Sequence, residues 1–336
     1  MTIPTPVRPI VSKPQAAPAA RSSGRMKLAN IKRGRVESPP RVLLYAVEKF
    51  GKSTFASQAP DPVFIGPEDG TALLDVARYP EPESVHDVFE ALDDLATSEH
   101  AFRSVVLDTV DWIEPMVLAR ACEIGDDKGP KDSIEKFGYG KGYNVALDVW
   151  RSILARLDRL RTARGMTVIL LAHAHVKAFN DPESESYDRY ELKMNAKAAG
   201  LLKEWADAVL FGKLEQYAKR VGDDPRKQRV IATDTGTRLL YTNRTAAWDA
   251  GNRYSLPPTL PLAWSDFDAA MRAQAVASAD DLRADITATA ADLDEADAAN
   301  ATDAIGRVGD DTTKLAQLLN WARGRVAMKG RKETNR

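Results

Sequence analysis

Short apolar runs alternate with longer amphipathic stretches from about residue 41 onward. The runs are Val42–Tyr45, Pro62–Ile65, Val105–Asp108, Val168–Ala172 and Ala208–Phe211. Each is nearly continuous in aliphatic residues, as strands buried on both faces are. Between them the apolar positions recur at helical spacing in Lys52–Gln58, Val85–Ala96, Asp111–Ile124, Asn144–Arg164 and Ala196–Trp205. This alternation predicts an α/β fold with a mostly parallel central sheet and helices on both faces. The period then changes. Gln228–Asp234 and Thr237–Thr242 read as two strands of a β-hairpin turning at Thr235-Gly236. A Pro-rich stretch, Leu256–Pro261, leads to a helix with Ser265 as its N-cap. Residues 280–327 read as two or three short helices with Ala-rich, acidic faces.

Composition refines this picture at the ends. Residues 1–39 are rich in Pro, Ala, Ser, Arg and Lys without an apolar period, which predicts a disordered tail. The expected organisation is a basic tail (1–39), an α/β core (40–272), a helical appendage (273–328) and a second basic tail (329–336). The formal net charge of −1 conceals this polarity. Residues 1–40 hold eight Lys/Arg against Glu37, residues 280–311 hold ten Asp/Glu against two Arg, and residues 312–336 hold seven Lys/Arg against Glu333. Basic ends suit nucleic acid, and they equally suit a solubilising tail. One cysteine, Cys122, excludes an internal disulfide framework and a Cys-rich zinc site. No apolar run approaches a membrane span and the N-terminus lacks a signal-peptide core, so a cytoplasmic protein without a membrane partner is expected.

The sharpest chemistry is the segment Ala46-Val47-Glu48-Lys49-Phe50-Gly51-Lys52-Ser53-Thr54, which follows a strand and opens a helix. That context defines a phosphate-binding loop: backbone N–H groups converge on phosphate oxygens, and Gly51 permits close approach. Lys52 reaches the β- and γ-phosphates of ATP, and the Ser53 hydroxyl holds Mg²⁺. Asp108 ends a strand 55 residues after Ser53, where a carboxylate serves the same metal. Nearby Asp111 is the alternative, though it reads better as a helix cap. Glu68, just beyond the strand Pro62–Ile65, is the candidate base for the attacking water, with Asp69 as its alternative. His173, where Val168–Ala172 ends, is the candidate γ-phosphate sensor; a structural histidine or a two-His site with His175 are the competing readings.

Strand–loop, strand–Glu, strand–Asp and strand–His in this order resemble the RecA-like core ATPases of phages, some of which are single-strand annealing recombinases. The resemblance runs from about Arg41 to Met271 and rests on Gly51–Pro60, Val63–Thr71, Val105–Thr109, Phe137–Trp150, Val168–Lys177 and Arg253–Leu262. It implies that Glu68 is the catalytic carboxylate and that His173 stands where Gln is more usual. It also implies two loops on single-stranded DNA, here 109–142 and 174–195. The first holds Tyr139, Lys141 and Tyr143 among glycines, suited to base stacking and phosphate contact or to a helix lead-in. The second is acidic over Asn180–Tyr190, leaving Lys177, Arg189 and Lys193 as contacts. The resemblance further implies a homo-oligomer, within a bacterial host's cytoplasm if phage-encoded. Arg238, Arg244 or Arg253 then reaches a neighbour's nucleotide. A replication or recombination partner on the C-terminal appendage is a further expectation. A helicase loader or an ATP-dependent partner-binding protein without direct DNA contact is the alternative.

Overall fold

A strand that is apolar at every position needs cover on both faces, and the core of this protein supplies it. In the computed structural model β1 (Arg41–Ala46), β4 (Ser104–Asp108) and the first eight residues of β5 (Thr167–Phe179) are buried almost without exception. The structure describes residues 38–67, 69–180, 185–221, 229–273 and 279–311, with isolated positions between 27 and 30 and between 314 and 326. Most of both predicted tails lies outside the described residues. Two units are distinguished, Met1–Glu37 and Ser38–Arg336, and the second holds the sheet.

After β1 come α1 (Lys52–Ser57), β2 (Pro62–Ile65), β3 (Ala77–Arg78), α2 (Val85–Thr97), β4, α3 (Val110–Ile124), α4 (Lys141–Arg164) and β5. Then follow β6 (Tyr187–Leu192), α5 (Ala196–Trp205), β7 (Ala208–Val221), β8 (Arg229–Tyr241), β9 (Gly251–Asn252), β10 (Thr259–Pro261) and α6 (Trp264–Ala273). The chain continues through α7 (Ala279–Ala290) and α8 (Glu295–Val308). The sheet order is β10-β8-β7-β1-β5-β4-β2-β3, with β6 on β5 and β9 on β7. Pairing is parallel from β3 across to β7 and antiparallel from β7 to β10. This is the expected α/β arrangement, a mostly parallel sheet between helices, with β5 inserted between the strand before the phosphate loop and the strand ending in Asp108.

Alternate residues of β1 feed opposite faces, as the two-residue period of a strand requires. Leu43 and Tyr45 join Leu92, Val117, Trp150, Leu157 and Leu202 under α2–α5, whereas Val42, Leu44 and Ala46 join Phe55, Trp264 and Phe267 under α1 and α6. A third apolar cluster, around Leu282, Ile286, Ala301, Leu315 and Leu319, belongs to the C-terminal helices.

Three local expectations change. The hairpin is not centred on Thr235-Gly236: both predicted runs belong to the single strand β8, paired with β7. Gly236, at φ 75°, sits instead in a bulge, where register shifts between Leu214↔Arg238 and Gln216↔Asp234. The helix predicted from Ser265 begins at Trp264. The two stretches expected as loops are largely regular structure, α3 within 109–142 and the β5–β6 hairpin within 174–195.

Candidate functional site

The carboxyl ends of β1, β4 and β5 converge because the three strands are parallel and adjacent. At the end of β1 the chain enters the phosphate loop, with Lys49 at φ 59° and Gly51 at φ 107°. Phe50 anchors the loop by packing, only 3% exposed, over Gly212 of β7. Lys52 is 6% exposed and its Nζ donates to the Val47 carbonyl at 3.3 Å, so the ammonium is folded back into its own loop.

Ser53 Oγ donates to Asp108 Oδ2 at 2.6 Å. Two residues far apart in sequence thus present hard oxygen donors at one point, beside a lysine. That donor set fits Mg²⁺, which takes few protein ligands and keeps several waters. β2 approaches this point closely because of Gly66, where a methyl group would lie 1.8 Å from the Asp108 carbonyl oxygen. A cavity of about 360 Å³ opens beside Asp108, lined in part by Phe64, Gly66, Thr71 and Arg78. Glu68 lies outside the described residues, as does the side chain of its alternative Asp69, which begins a short 3-10 turn.

Asp111 is not a helix cap. Thr109 occupies the N-cap of α3, and Asp111 turns inward to His173. It accepts from the His173 backbone N–H and faces its ring Nδ1, both at 2.9 Å, with both side chains almost wholly buried. Burial raises the Asp111 carboxyl, but the bonds from His173 outweigh it and hold the group below its ordinary range. A turn later, Glu114 accepts the Asn195 N–H on both oxygens, at 3.1 and 2.9 Å. Burial pushes the Glu114 carboxyl up, and the neighbouring Asp111 charge adds to that. Asn195 in turn caps α5 by accepting from Lys197 N–H. The middle of β5, where the sequence predicted the strand to end, the start of α3 and the start of α5 are therefore one bonded unit. A sequence shows Asp111 and Glu114 only as helix acids, and no local signal marks their partners. Among the described residues no cluster of three or more His, Cys, Asp or Glu side chains is placed to hold a metal.

The residues expected on DNA separate. Tyr139 is wholly exposed, with φ 49°, between Gly138 (φ 69°) and Gly140 (φ 67°). Lys141 is the first residue of α4, and Tyr143 packs half-buried against the core. Arg189 is buried at 3% exposure, 3.3 Å from Asp249 and over the Phe179 ring, so it is unavailable as a phosphate contact. Lys193 lies 3.7 Å from Glu48 of the phosphate loop, and Lys177 is exposed. Of the three arginines, Arg253 bonds Asp207 at 2.9 Å and Arg244 lies 3.7 Å from Asp249, while Arg238 lies against Gly51. A cavity of about 520 Å³ between α5, β7 and β9 contains neither the loop nor Asp108; two of its three carboxylates, Asp207 and Asp249, are already paired with Arg41 and Lys203.

The sequence profile of the AAA domain matches residues 38–254, from just before β1 to just past β9. The chain belongs to the AAA domain family. The phosphate loop, Asp108 and the Asp111–His173 pair all lie within the matched span, so the AAA domain is the nucleotide-binding P-loop core. No curated protein matches the chain. Among solved structures, one described as the RadB recombinase is similar, at 13% identity and a TM-score of 0.35, over 61% of this chain and 80% of that one. A likeness this distant adds nothing to the reading of the AAA domain's site. No helix among the described residues is long and apolar enough to cross a membrane.

Proposed function

We propose that this P-loop protein is a Mg²⁺-dependent ATPase of the phage RecA-like type, acting on single-stranded DNA in recombination or annealing, as a homo-oligomer. The observation that carries the ATPase part is the 2.6 Å contact between Ser53 Oγ and Asp108 Oδ2 at the mouth of a loop holding a buried lysine. In this reading Lys52 swings from the Val47 carbonyl to the β- and γ-phosphates, and the N–H groups of residues 47–54 bind the remaining phosphate oxygens. Ser53 and Asp108 hold Mg²⁺, which neutralises charge on the phosphates when bound. Glu68 accepts the proton of the attacking water. His173, fixed by Asp111, senses the γ-phosphate and passes its presence to the β5–β6 hairpin and, through Asn195, to α5.

Tyr139 supports the DNA part: three successive left-handed residues hold its ring outward, ready to stack on an unpaired base. The burial of Arg189 removes one expected cation from the acidic hairpin and favours the second reading, a helicase loader or partner-binding ATPase. In that reading the segment 273–328 is the appendage that binds a replication or recombination partner. Lys52→Ala tests the ATPase claim: hydrolysis should be lost with the fold intact, and unchanged turnover would refute it. Binding to poly-dT by fluorescence anisotropy across salt concentrations separates the two readings, since the second requires no binding.

A further inference from the structure

A cation from outside the phosphate loop, Arg238 of β8, lies against it, and none of these roles uses it. The bulge at Thr235–Thr237 ends the outer part of the β7–β8 hairpin, and the next residue is Arg238, opposite Leu214. Its carbonyl accepts the Leu262 N–H at 3.2 Å, which ties β8 to the segment following β10. The Arg238 and Leu262 side chains then lie together on the loop. A methyl group on Gly51 would stand 3.1 Å from Arg238 Nη1 and 3.1 Å from Leu262 Cδ2. Arg238 is exposed, and no described carboxylate lies within ion-pair distance of it. Arg253 and Arg244, by contrast, are each committed to an aspartate.

Position along the sheet says what Arg238 can reach. β1 has β5 on one side, leading to β4 and Asp108, and β7 then β8 on the other. A polyphosphate on the loop with its metal end at Ser53 and Asp108 would extend its other end away from β4, toward the β7–β8 side where Arg238 and Leu262 lie against Gly51. A planar guanidinium suits paired contacts to phosphate oxygens, and an unpaired one loses no existing partner when it makes them.

We infer that Arg238 binds the nucleotide in cis, at the α- and β-phosphates, with Leu262 as the apolar wall beside it. This rests on the ATP-binding reading above. It also makes a statement about ligand class: nucleoside diphosphates and triphosphates should depend on Arg238 alike, because it faces the end they share. An arginine acting on a neighbour's γ-phosphate would instead affect hydrolysis and leave diphosphate binding untouched.

The experiment is titration of the full-length protein, in Mg²⁺, with fluorescent ADP and with a fluorescent non-hydrolysable ATP analogue. Wild type, Arg238→Ala, Arg238→Gln and Lys52→Ala are compared. A single charge-assisted contact predicts that both Arg238 variants raise Kd for ADP and for the ATP analogue by a similar factor, about tenfold, equivalent to about 1.4 kcal/mol. Thermal melting should be unchanged, since the side chain is exposed; if Arg238→Ala melts early, Arg238→Gln, which keeps the stem, is the variant read. Wild-type ADP affinity in the properly folded variant overturns the inference and leaves the ATPase reading intact. Weakened triphosphate binding with normal diphosphate binding also overturns it, in favour of a γ-phosphate role. Absence of nucleotide binding by wild type sinks both readings together.

Discussion

Gly212→Ala should damage the phosphate loop from the strand beside it. Gly212 pairs with Ala46 across the β1–β7 boundary, where the loop begins. An added methyl group would lie 2.3 Å from Phe50 Cε1, 2.8 Å from Cδ1 and 3.0 Å from the Ala46 Cβ. Carbon atoms rest at about 3.5–4 Å, so the Phe50 ring has to retreat by more than about 1 Å. Phe50 is buried, so the ring can retreat only by drawing the loop with it. Overpacking of this kind costs about 1–3 kcal/mol, of which alanine's lower chain entropy in a strand returns about 0.5–1 kcal/mol. The net loss of stability is therefore modest, but the functional loss is not. A displacement of about 1 Å at a phosphate-positioning loop can cost about a hundredfold in turnover. Chemical denaturation and ATPase assays on the same samples measure the two separately. Phe50→Leu in the Gly212→Ala background should relieve the clash, giving a double-mutant coupling of about 0.5–3 kcal/mol. Wild-type turnover in Gly212→Ala, or strict additivity in the cycle, would refute the claim that Phe50 transmits strain from β7 to the loop.

Asp207 accepts from Arg41 N, Nε and Nη2 and from Arg161 and Arg253. Burial raises its carboxyl, but Arg41 foremost outweighs this and lowers it. A depressed carboxyl contributes stability that is present above the ordinary aspartate range and lost as pH falls through the lowered folded-state value. Stability of the wild type should therefore fall in acid more steeply than that of Asp207→Asn. At neutral pH Asp207→Asn should cost about 1.5–3 kcal/mol, measured by denaturation, because the bonds from Arg41, Arg161 and Arg253 lose their charged acceptor while Arg41 keeps Asp158 at 3.3 Å. Asp111→Asn removes the charge that accepts from His173 and should cost about 1.5–3 kcal/mol by the same measurement. An unperturbed His173 ring signal in that variant's NMR spectrum would contradict the pairing. Tyr139→Ala should leave the melting temperature unchanged while weakening poly-dT binding, whereas Tyr143→Ala lowers the melting temperature; unchanged poly-dT binding by Tyr139→Ala would argue against Tyr139 as the stacking residue.

The phosphate loop, the strand ending in Asp108 and the helices between them are legible in the amino-acid sequence because each is a local pattern. A Gly-Lys-Ser step after an apolar run, and aliphatic runs too continuous to be one-faced, carry their meaning within a few residues. The single strand β8 is misread for the same reason. Thr235-Gly236 has turn chemistry, and only the register with Leu214 and Gln216 makes it a bulge. Asp111 likewise has the local signature of a cap, and its inward turn to His173 depends on β4 and β5 lying side by side. Arg238 against Gly51, Gly212 beneath Phe50 and Arg189 buried beside Asp249 are contacts between segments distant in the chain. No periodicity or motif encodes such pairings, because they are set by the order in which strands assemble. The sequence alone therefore determines that a phosphate loop exists and which strand carries its partner acid. The tertiary structure decides what surrounds that loop, since strand order brings one arginine onto it and turns two others away to aspartates.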